Sequence, residues 1–249
     1  MSTSSHTLPR PRDPDVLGEL LHSLSQPLTG LRCSLELSLQ PPLGLSIEQV
    51  AEQQQASVSV ALQQTERVIG MIQLMREYLD AEQPVPAAFS SALAPATRSL
   101  IEELSSIAAV RGVRLRLVGT CAAALAVPES RLRLALQYLI ATLIEAQPAG
   151  GKVMLLLGEG PAGAVLRVEG DCGFRRLGFL DQEQSATVSQ TKEAPAGAPS
   201  SSVLALRRVR LAIASRVLET AGASLVFGDG DVVPVGFVLR IPRPPAACD

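Results

Sequence analysis

His22 is the residue whose type and position most directly indicate chemistry. It follows a leucine in a segment where leucines recur at alternating steps of four and three residues, at Leu17, Leu21, Leu24, Leu28, Leu31 and Leu35. That spacing predicts a helix packed lengthwise against partner helices, and it turns His22 about 100° away from the leucine row. A neutral imidazole is a nucleophile near pH 7, so a histidine on the side of a rigid bundle could accept a group from a second protein. The plainer alternative is a solvated surface histidine.

Pro27 is the second unusual residue of this segment. It lies five residues after His22, inside the predicted helix. A proline in a helix interior removes a backbone hydrogen bond and favours a bend. The pattern therefore predicts a titratable side chain one turn before a bend.

The residues His22–Leu28, HSLSQPL, resemble the H-box of two-component sensor histidine kinases, and the continuation TGLRCSLELSL is similar to that family's usual run after the proline. The resemblance implies that His22 is a phosphoacceptor and that the helical hairpin dimerises into a four-helix bundle. It also implies that Gln26 could position water for dephosphorylating a partner. Ser23 departs from the family, which usually has Glu or Asp there as the base that polarises the imidazole.

Composition excludes several other classes of protein. The 249 residues are 47% hydrophobic but only 3% aromatic, so aliphatic side chains must build the cores. A formal charge of −2 gives no electrostatic reason to bind nucleic acid or a membrane surface. The four cysteines are scattered, which indicates neither a metal site nor a disulfide framework. No apolar run approaches the roughly 20 residues that span a bilayer, and the polar N-terminus does not resemble a signal peptide, so we expect a cytoplasmic protein.

The N-terminal part is predicted to be a helical hairpin over residues 15–83, after a disordered tail of residues 1–14. Pro41, Pro42 and Gly44 indicate the turn, and Ser46 with Gln49 is a plausible capping box for the second helix. A second apolar row is predicted there, at Val58, Ala61, Thr65, Val68, Ile72, Met75 and Leu79. Two helices alone cannot bury two such rows, so we expect a homodimer.

Residues 86–242 are predicted to form an α/β sandwich with helices on one face of a mixed sheet, which makes the whole chain α+β. Residues 243–249 are predicted to be a disordered tail, and residues 175–203 a long loop. The predicted helices and strands are a strand near Ala87–Phe89, a helix over Pro95–Val110, strands Val113–Val118 and Leu125–Val127, a helix over Pro128–Ala146, a hairpin of Lys152–Leu157 with Ala164–Glu169, a helix over Leu204–Ala221, and strands Ser224–Phe227 and Gly236–Ile241.

This order of elements resembles the ATP-binding domain of histidine kinases. RLRLALQYLIATLIEAQPAGGKVML is similar to the N-box helix, LRVEGDCG to the strand before the adenine-binding Asp-x-Gly, and LRRVRLAIASRVLETAGASL to the helix after the ATP lid. The resemblance implies Asp171 and Gly173 at the adenine and Thr142 at the magnesium position.

Several residues depart from the ATP-binding pattern. Thr142 and Tyr138 replace asparagines of the family, and Val209-Arg210 stand directly before Leu-Ala-Ile, where the family has Gly-x-Gly. Those glycines let backbone N–H groups approach phosphates. Arg207, Arg208 and Arg210 could instead offer charge to phosphate, or form a solvated helix face.

The sequence favours a two-component phosphorelay protein, a histidine phosphotransferase that carries phosphoryl groups between His22 and the aspartates of response-regulator receiver domains. This chemistry needs an exposed imidazole but no ATP site. One alternative is a divergent soluble histidine kinase with ATP and Mg²⁺ as cofactors. The other is a non-catalytic scaffold that binds a response regulator.

Overall fold

The computed structural model describes residues 13–39, 46–83, 90–160, 163–172, 201–228 and 236–242. The two predicted tails up to residue 12 and from residue 243, the proline turn, the strand near 87–89 and the predicted loop as far as residue 200 lie outside these ranges. The chain divides into two compact units, the helical hairpin and the residues from Ala81 onward.

The hairpin consists of α1 (Asp13–Leu39) and α2 (Ile47–Glu82). α1 begins two residues before its predicted start and continues through Pro27 without interruption. The predicted capping box is present, because the Ser46 backbone N–H donates to Gln49 Oε1 at 3.0 Å and the Gln49 N–H donates to Ser46 Oγ at 3.3 Å. The helices lie side by side where Gly30 meets the side chain of Gln64.

The buried row of α1 differs from the predicted leucine row. The buried residues recur at steps of four, three, four and seven, as a helix face turned toward a core requires, but each lies one residue before a predicted leucine; they are Val16, Leu20, Ser23, Pro27 and Ser34. Leu21, Leu28 and Leu35 are 55%, 45% and 49% exposed. The leucine row is therefore partly exposed in the single chain, and its packing against partner helices stays a prediction.

The second helix shows the same offset. Of its predicted row, Ala61 is buried, whereas Val58, Ile72 and Leu79 are about half exposed. The larger buried side chains of α2 are instead Met71, Leu74 and Tyr78. Each helix thus carries two apolar rows, one buried and one facing outward.

The second unit is an α/β sandwich around a mixed sheet, as predicted. Its elements are β1 (Ser91–Ala92), α3 (Leu93–Val110), β2 (Arg114–Gly119), β3 (Ala124–Leu125), α4 (Glu129–Ala146), β4 (Lys152–Gly160), β5 (Gly163–Gly170), α5 (Ser201–Thr220), β6 (Ser224–Gly228) and β7 (Gly236–Pro242). The main sheet has five strands in the order β2-β4-β5-β7-β6, with only the β2–β4 pair parallel. β1 and β3 form a separate antiparallel pair.

The core of the sandwich lies between the sheet and α4. Leu136, Leu139 and Ile140 of α4 are wholly buried, and alternate residues of β4 and β5 are buried beneath the helices, among them Leu155 and Leu166. Each such side chain contributes about 1.5–3 kcal/mol by leaving water. Because α4 is buried along most of its length, its polar positions are fixed in a rigid surrounding.

Candidate functional site

His22 lies near the middle of α1 and is exposed. Leu20, two residues earlier, is only 1% exposed, so the helical rotation of about 200° between them turns the imidazole away from the buried row. The structure therefore gives His22 the exposed position that a phosphoacceptor requires.

Gln26 lies one turn after His22, on the same face of α1, and is also exposed. The neighbouring hydroxyl groups are bonded within the helix: Ser25 Oγ donates to the Leu21 carbonyl at 3.1 Å and Thr29 Oγ1 to the Ser25 carbonyl at 2.9 Å. These hydroxyls are satisfied locally. The side chains of His22 and Gln26 thus form the exposed polar site of α1.

Ser23 is 6% exposed and belongs to the buried row of α1. The position that the family resemblance assigns to an acidic base therefore holds no carboxylate, and its side chain is removed from solvent. A base that polarises the His22 imidazole would therefore have to be a group other than residue 23.

Thr142 lies in α4 and is 2% exposed. Magnesium requires several oxygen ligands in octahedral geometry and retains water molecules around it. A hydroxyl that is shut off from solvent is poorly placed for such an ion. Within the described ranges, no group of three His, Cys, Asp or Glu side chains is arranged to hold a metal ion.

Asp171 follows β5, and its carboxylate is already engaged. The Lys152 backbone N–H donates to Asp171 Oδ2 at 2.9 Å, and the Lys152 ammonium lies 3.9 Å from Oδ1. Asp171 therefore ties the end of β5 to the beginning of β4. Gly173, predicted beside it at the adenine, lies outside the described residues.

Gln147 is a structural residue that the sequence reasoning missed. Its side chain is buried at the end of α4, where Nε2 donates to the carbonyls of Leu143 and Cys172 at 2.9 and 2.7 Å. Its Oε1 accepts from the Cys172 N–H at 2.9 Å. A Cβ built on Gly170 would lie 2.6 Å from Gln147 Nε2, so a larger residue there would require the Gln147 amide to move. The sequence feature that could have indicated this role is a single amide side chain, Gln147, between an apolar helix and the Pro-Ala-Gly-Gly turn.

α5 runs without a break from Ser201 to Thr220, through the pair Val209-Arg210. In a continuous α-helix, the N–H groups at these positions donate to carbonyls four residues earlier. They are therefore not the free donors that a helix N-terminus offers to phosphate. The absence of the family's glycines and the continuity of α5 therefore both indicate that these positions offer no backbone N–H groups to a phosphate.

Two arginines of α5, Arg207 and Arg210, contact α4. Arg207 Nε and Nη2 lie 2.9 and 2.8 Å from Glu145 Oε2, and the Arg207 guanidinium side chain is only 12% exposed. The Arg210 guanidinium carbon lies 5.7 Å from the centre of the Tyr138 ring. The predicted solvated face is thus wrong for Arg207, which is held by Glu145.

The residues described here do not fit ATP with magnesium. Thr142 is buried, Asp171 is bonded to a strand, and the backbone donors at Val209 and Arg210 belong to a helix interior. We therefore derive no chemical step through a nucleotide.

The fold of this chain is similar to that of solved histidine kinases. The chain is similar in structure to the Acinetobacter baumannii histidine kinase AdeS, with a TM-score of 0.55 over 89% of this chain and 97% of that chain at 14% sequence identity. A histidine kinase from Burkholderia phymatum STM815 aligns over 90% of this chain and 97% of that chain at 20% identity, with a TM-score of 0.44. No family model and no curated protein matches the sequence. None of the described helices has both the length and the apolar character needed to cross a membrane. The chain has a sensor-histidine-kinase-like fold, in which an N-terminal helical region is followed by a kinase-type ATPase domain.

Proposed function

We propose that this chain is a histidine phosphotransferase of a two-component system, which relays phosphoryl groups between His22 and the aspartates of response-regulator receiver domains. The observation that carries the proposal is the exposed position of His22 on α1, in a chain whose Asp171 accepts a hydrogen bond from the Lys152 backbone and whose Val209 and Arg210 lie inside a continuous helix. The proposed phosphoryl transfer uses the exposed imidazole of His22 and does not need a nucleotide.

The proposed transfer is a direct displacement at phosphorus. A neutral imidazole nitrogen of His22 attacks the phosphoryl group of a receiver aspartate, so that an N–P bond forms as the O–P bond breaks. The aspartate carboxylate leaves with the bonding electron pair, and the proton on the second imidazole nitrogen passes to water. Transfer to a second receiver domain reverses these events. Because carboxylate is a good leaving group, the absence of an acidic residue at Ser23 does not prevent this reaction.

We also propose that the hairpin forms a homodimer. The outward row of α1 and the outward row of α2 place half-exposed leucine, isoleucine and valine side chains along both helices, including Leu28, Ile69 and Ile72. Contiguous apolar surface of this kind marks an interaction site. A second copy presents the same two rows, so the pairing would be self-complementary and would bury them in a four-helix bundle.

The experiment that tests the function follows the phosphoryl group. A receiver domain labelled on its aspartate is mixed with wild-type protein, with His22→Ala and with the matched variant Thr29→Ala, whose hydroxyl bonds only within the helix among the recorded contacts. We expect acid-labile label on the wild type and on Thr29→Ala, and at least a 100-fold lower rate with His22→Ala, as about 2.7 kcal/mol or more of barrier would imply.

Two other results would replace the proposal. Acid-labile label on wild type incubated with γ-labelled ATP alone would identify an active kinase. No transfer to wild type, together with equal receiver binding by wild type and His22→Ala, would identify a non-catalytic scaffold.

A further inference from the structure

Three residues of α4 form one stripe on the helix. Tyr138, Thr142 and Glu145 are spaced by four and three residues, so they share a face of α4. Tyr138 and Thr142 are also the positions at which the sequence departs from an ATP-binding pattern. The side chains that contact these three residues therefore occupy the space beside this face of α4.

The lower end of the stripe is held by an ion pair. Two nitrogens of Arg207 reach the same oxygen of Glu145 at 2.9 and 2.8 Å, and the two side chains are 12% and 25% exposed. A charge-assisted contact removed from most of the solvent is stronger than a surface pair. It joins α4 directly to α5.

The upper end of the stripe is held by a second arginine of α5. The guanidinium of Arg210 lies over the ring of Tyr138, with 5.7 Å between the guanidinium carbon and the ring centre. Arg210 is three residues after Arg207, and Tyr138 is seven residues before Glu145. The two contacts therefore lie in succession along one α4–α5 interface, with the buried Thr142 between them on α4.

We propose that these contacts, the α4–α5 lock of Glu145–Arg207 and Tyr138–Arg210, replace a bound nucleotide as the tie between the two helices. The resemblance to an ATP-binding domain implies that this face of α4 would hold a nucleotide and its magnesium ion, and in this chain the side chains of Arg207 and Arg210 contact it instead. The second unit accordingly attains its folded form without a ligand. This inference does not depend on His22, and a failure of phosphoryl transfer would leave it standing.

The test measures the thermal unfolding temperature of the full chain. Glu145→Gln and Arg207→Gln are each expected to lower it by about 4–8 °C, because each leaves a mostly buried group without its ionic partner. The double variant is expected to lose clearly less than the sum of the two single losses, which is the signature of direct coupling. Arg133→Gln is the matched control on α4, since Arg133 pairs with Glu103 across a more exposed surface, and it is expected to shift the temperature by less than about 2 °C.

A second arm uses Mg-ATP at millimolar concentration. A ligand that binds the folded state raises the unfolding temperature, so the wild type is expected to show no rise. A rise with Mg-ATP would overturn the proposal, as would additive losses in the two single variants. If Arg207→Gln fails to fold, Arg207→Met serves in its place, because it removes the ionic partner of Glu145 while keeping a long unbranched side chain, and so permits the same cycle.

Discussion

The chemistry proposed for His22 depends on a single step around a helix. Its neighbour Ser23 belongs to the buried row, whereas His22 is turned outward beside Gln26. A shift of one residue that placed His22 at the position of Ser23 would bury the imidazole, since each residue rotates the side chain by about 100°. The reactivity of the site is therefore set by register as much as by residue type.

Gln26 provides a prediction at this scale. We predict that its exposed amide, one turn from His22, orients a water molecule toward a phosphorylated aspartate on a docked receiver domain. We expect Gln26→Ala to slow dephosphorylation of the receiver by about tenfold, equivalent to about 1.4 kcal/mol of barrier, while transfer to His22 is kept. The measurement is loss of label from the receiver domain in the presence of the protein.

Ser25→Ala is the matched control for this variant, because the Ser25 hydroxyl bonds to the Leu21 carbonyl of its own helix. Its dephosphorylation rate should equal that of the wild type. An unchanged rate in Gln26→Ala would remove Gln26 from the site and leave His22 as its only proposed reactive residue.

Sequence alone identified His22 from its motif, but it did not predict the contacts of Asp171 and Gln147. The Asp171 carboxylate bonds to the backbone of Lys152, and the Gln147 amide bonds to the backbone of Cys172. These pairs are 19 and 25 residues apart in the chain. A local sequence pattern indicates one helix or strand at a time. A hydrogen bond that forms only when strands and a helix pack together is therefore hard to predict from that pattern.

At the scale of elements, both helices of the hairpin are present where the sequence predicts them, but in the single chain the buried row of α1 lies one residue before the predicted leucine row. The leucine row is spaced by three and four residues throughout, whereas the buried row contains two serines and one step of seven residues. Periodicity identifies an apolar face, but it does not distinguish a face that packs within one chain from a face that packs against a second chain. The stronger sequence signal belongs to the outward row.

This reasoning predicts that Leu28→Glu converts the proposed dimer into a monomer. Leu28 is 45% exposed in the single chain, so a carboxylate there is tolerated by the monomer but would be buried between two copies. Light scattering coupled to size exclusion gives the mass directly. We expect the wild type at twice the mass of its chain and Leu28→Glu at the mass of one chain with its helical circular dichroism largely retained.

Gln26→Glu introduces the same charge about 200° around α1 from Leu28 and should remain dimeric. A wild type that is monomeric at micromolar concentration, or a Leu28→Glu variant that stays dimeric, would contradict the assignment of this row to a second copy.

At the scale of the whole molecule, the order of helices and strands in the second unit could be read from the sequence, because β4 and β5 alternate in burial and the helices have apolar faces. The strand order β2-β4-β5-β7-β6 could not, apart from the β4–β5 hairpin. Pairing of β5 with β7 joins segments that are far apart in the chain, and the choice among possible partners rests on packing. α5 begins at Ser201, earlier than the predicted start at Leu204. The prediction placed the start too late because the preceding sequence is rich in turn-forming residues.

Gly236, at the start of β7, is where two of these strand pairings meet, because it is opposite both Glu169 of β5 and Gly228 of β6. Its φ is +148°, and a Cβ built there would lie 2.0 Å from the carbonyl oxygen of Val168. We expect Gly236→Ala to lower the free energy of unfolding by more than about 3 kcal/mol, since the β5 backbone would have to move. Gly150 is the control: its φ is +84° but its Cβ would meet nothing within 4 Å, so Gly150→Ala should cost only about 1–2 kcal/mol of backbone strain. Denaturant unfolding measures both losses, and equal losses would show that the close approach of β5 and β7 at Gly236 does not restrict the sheet.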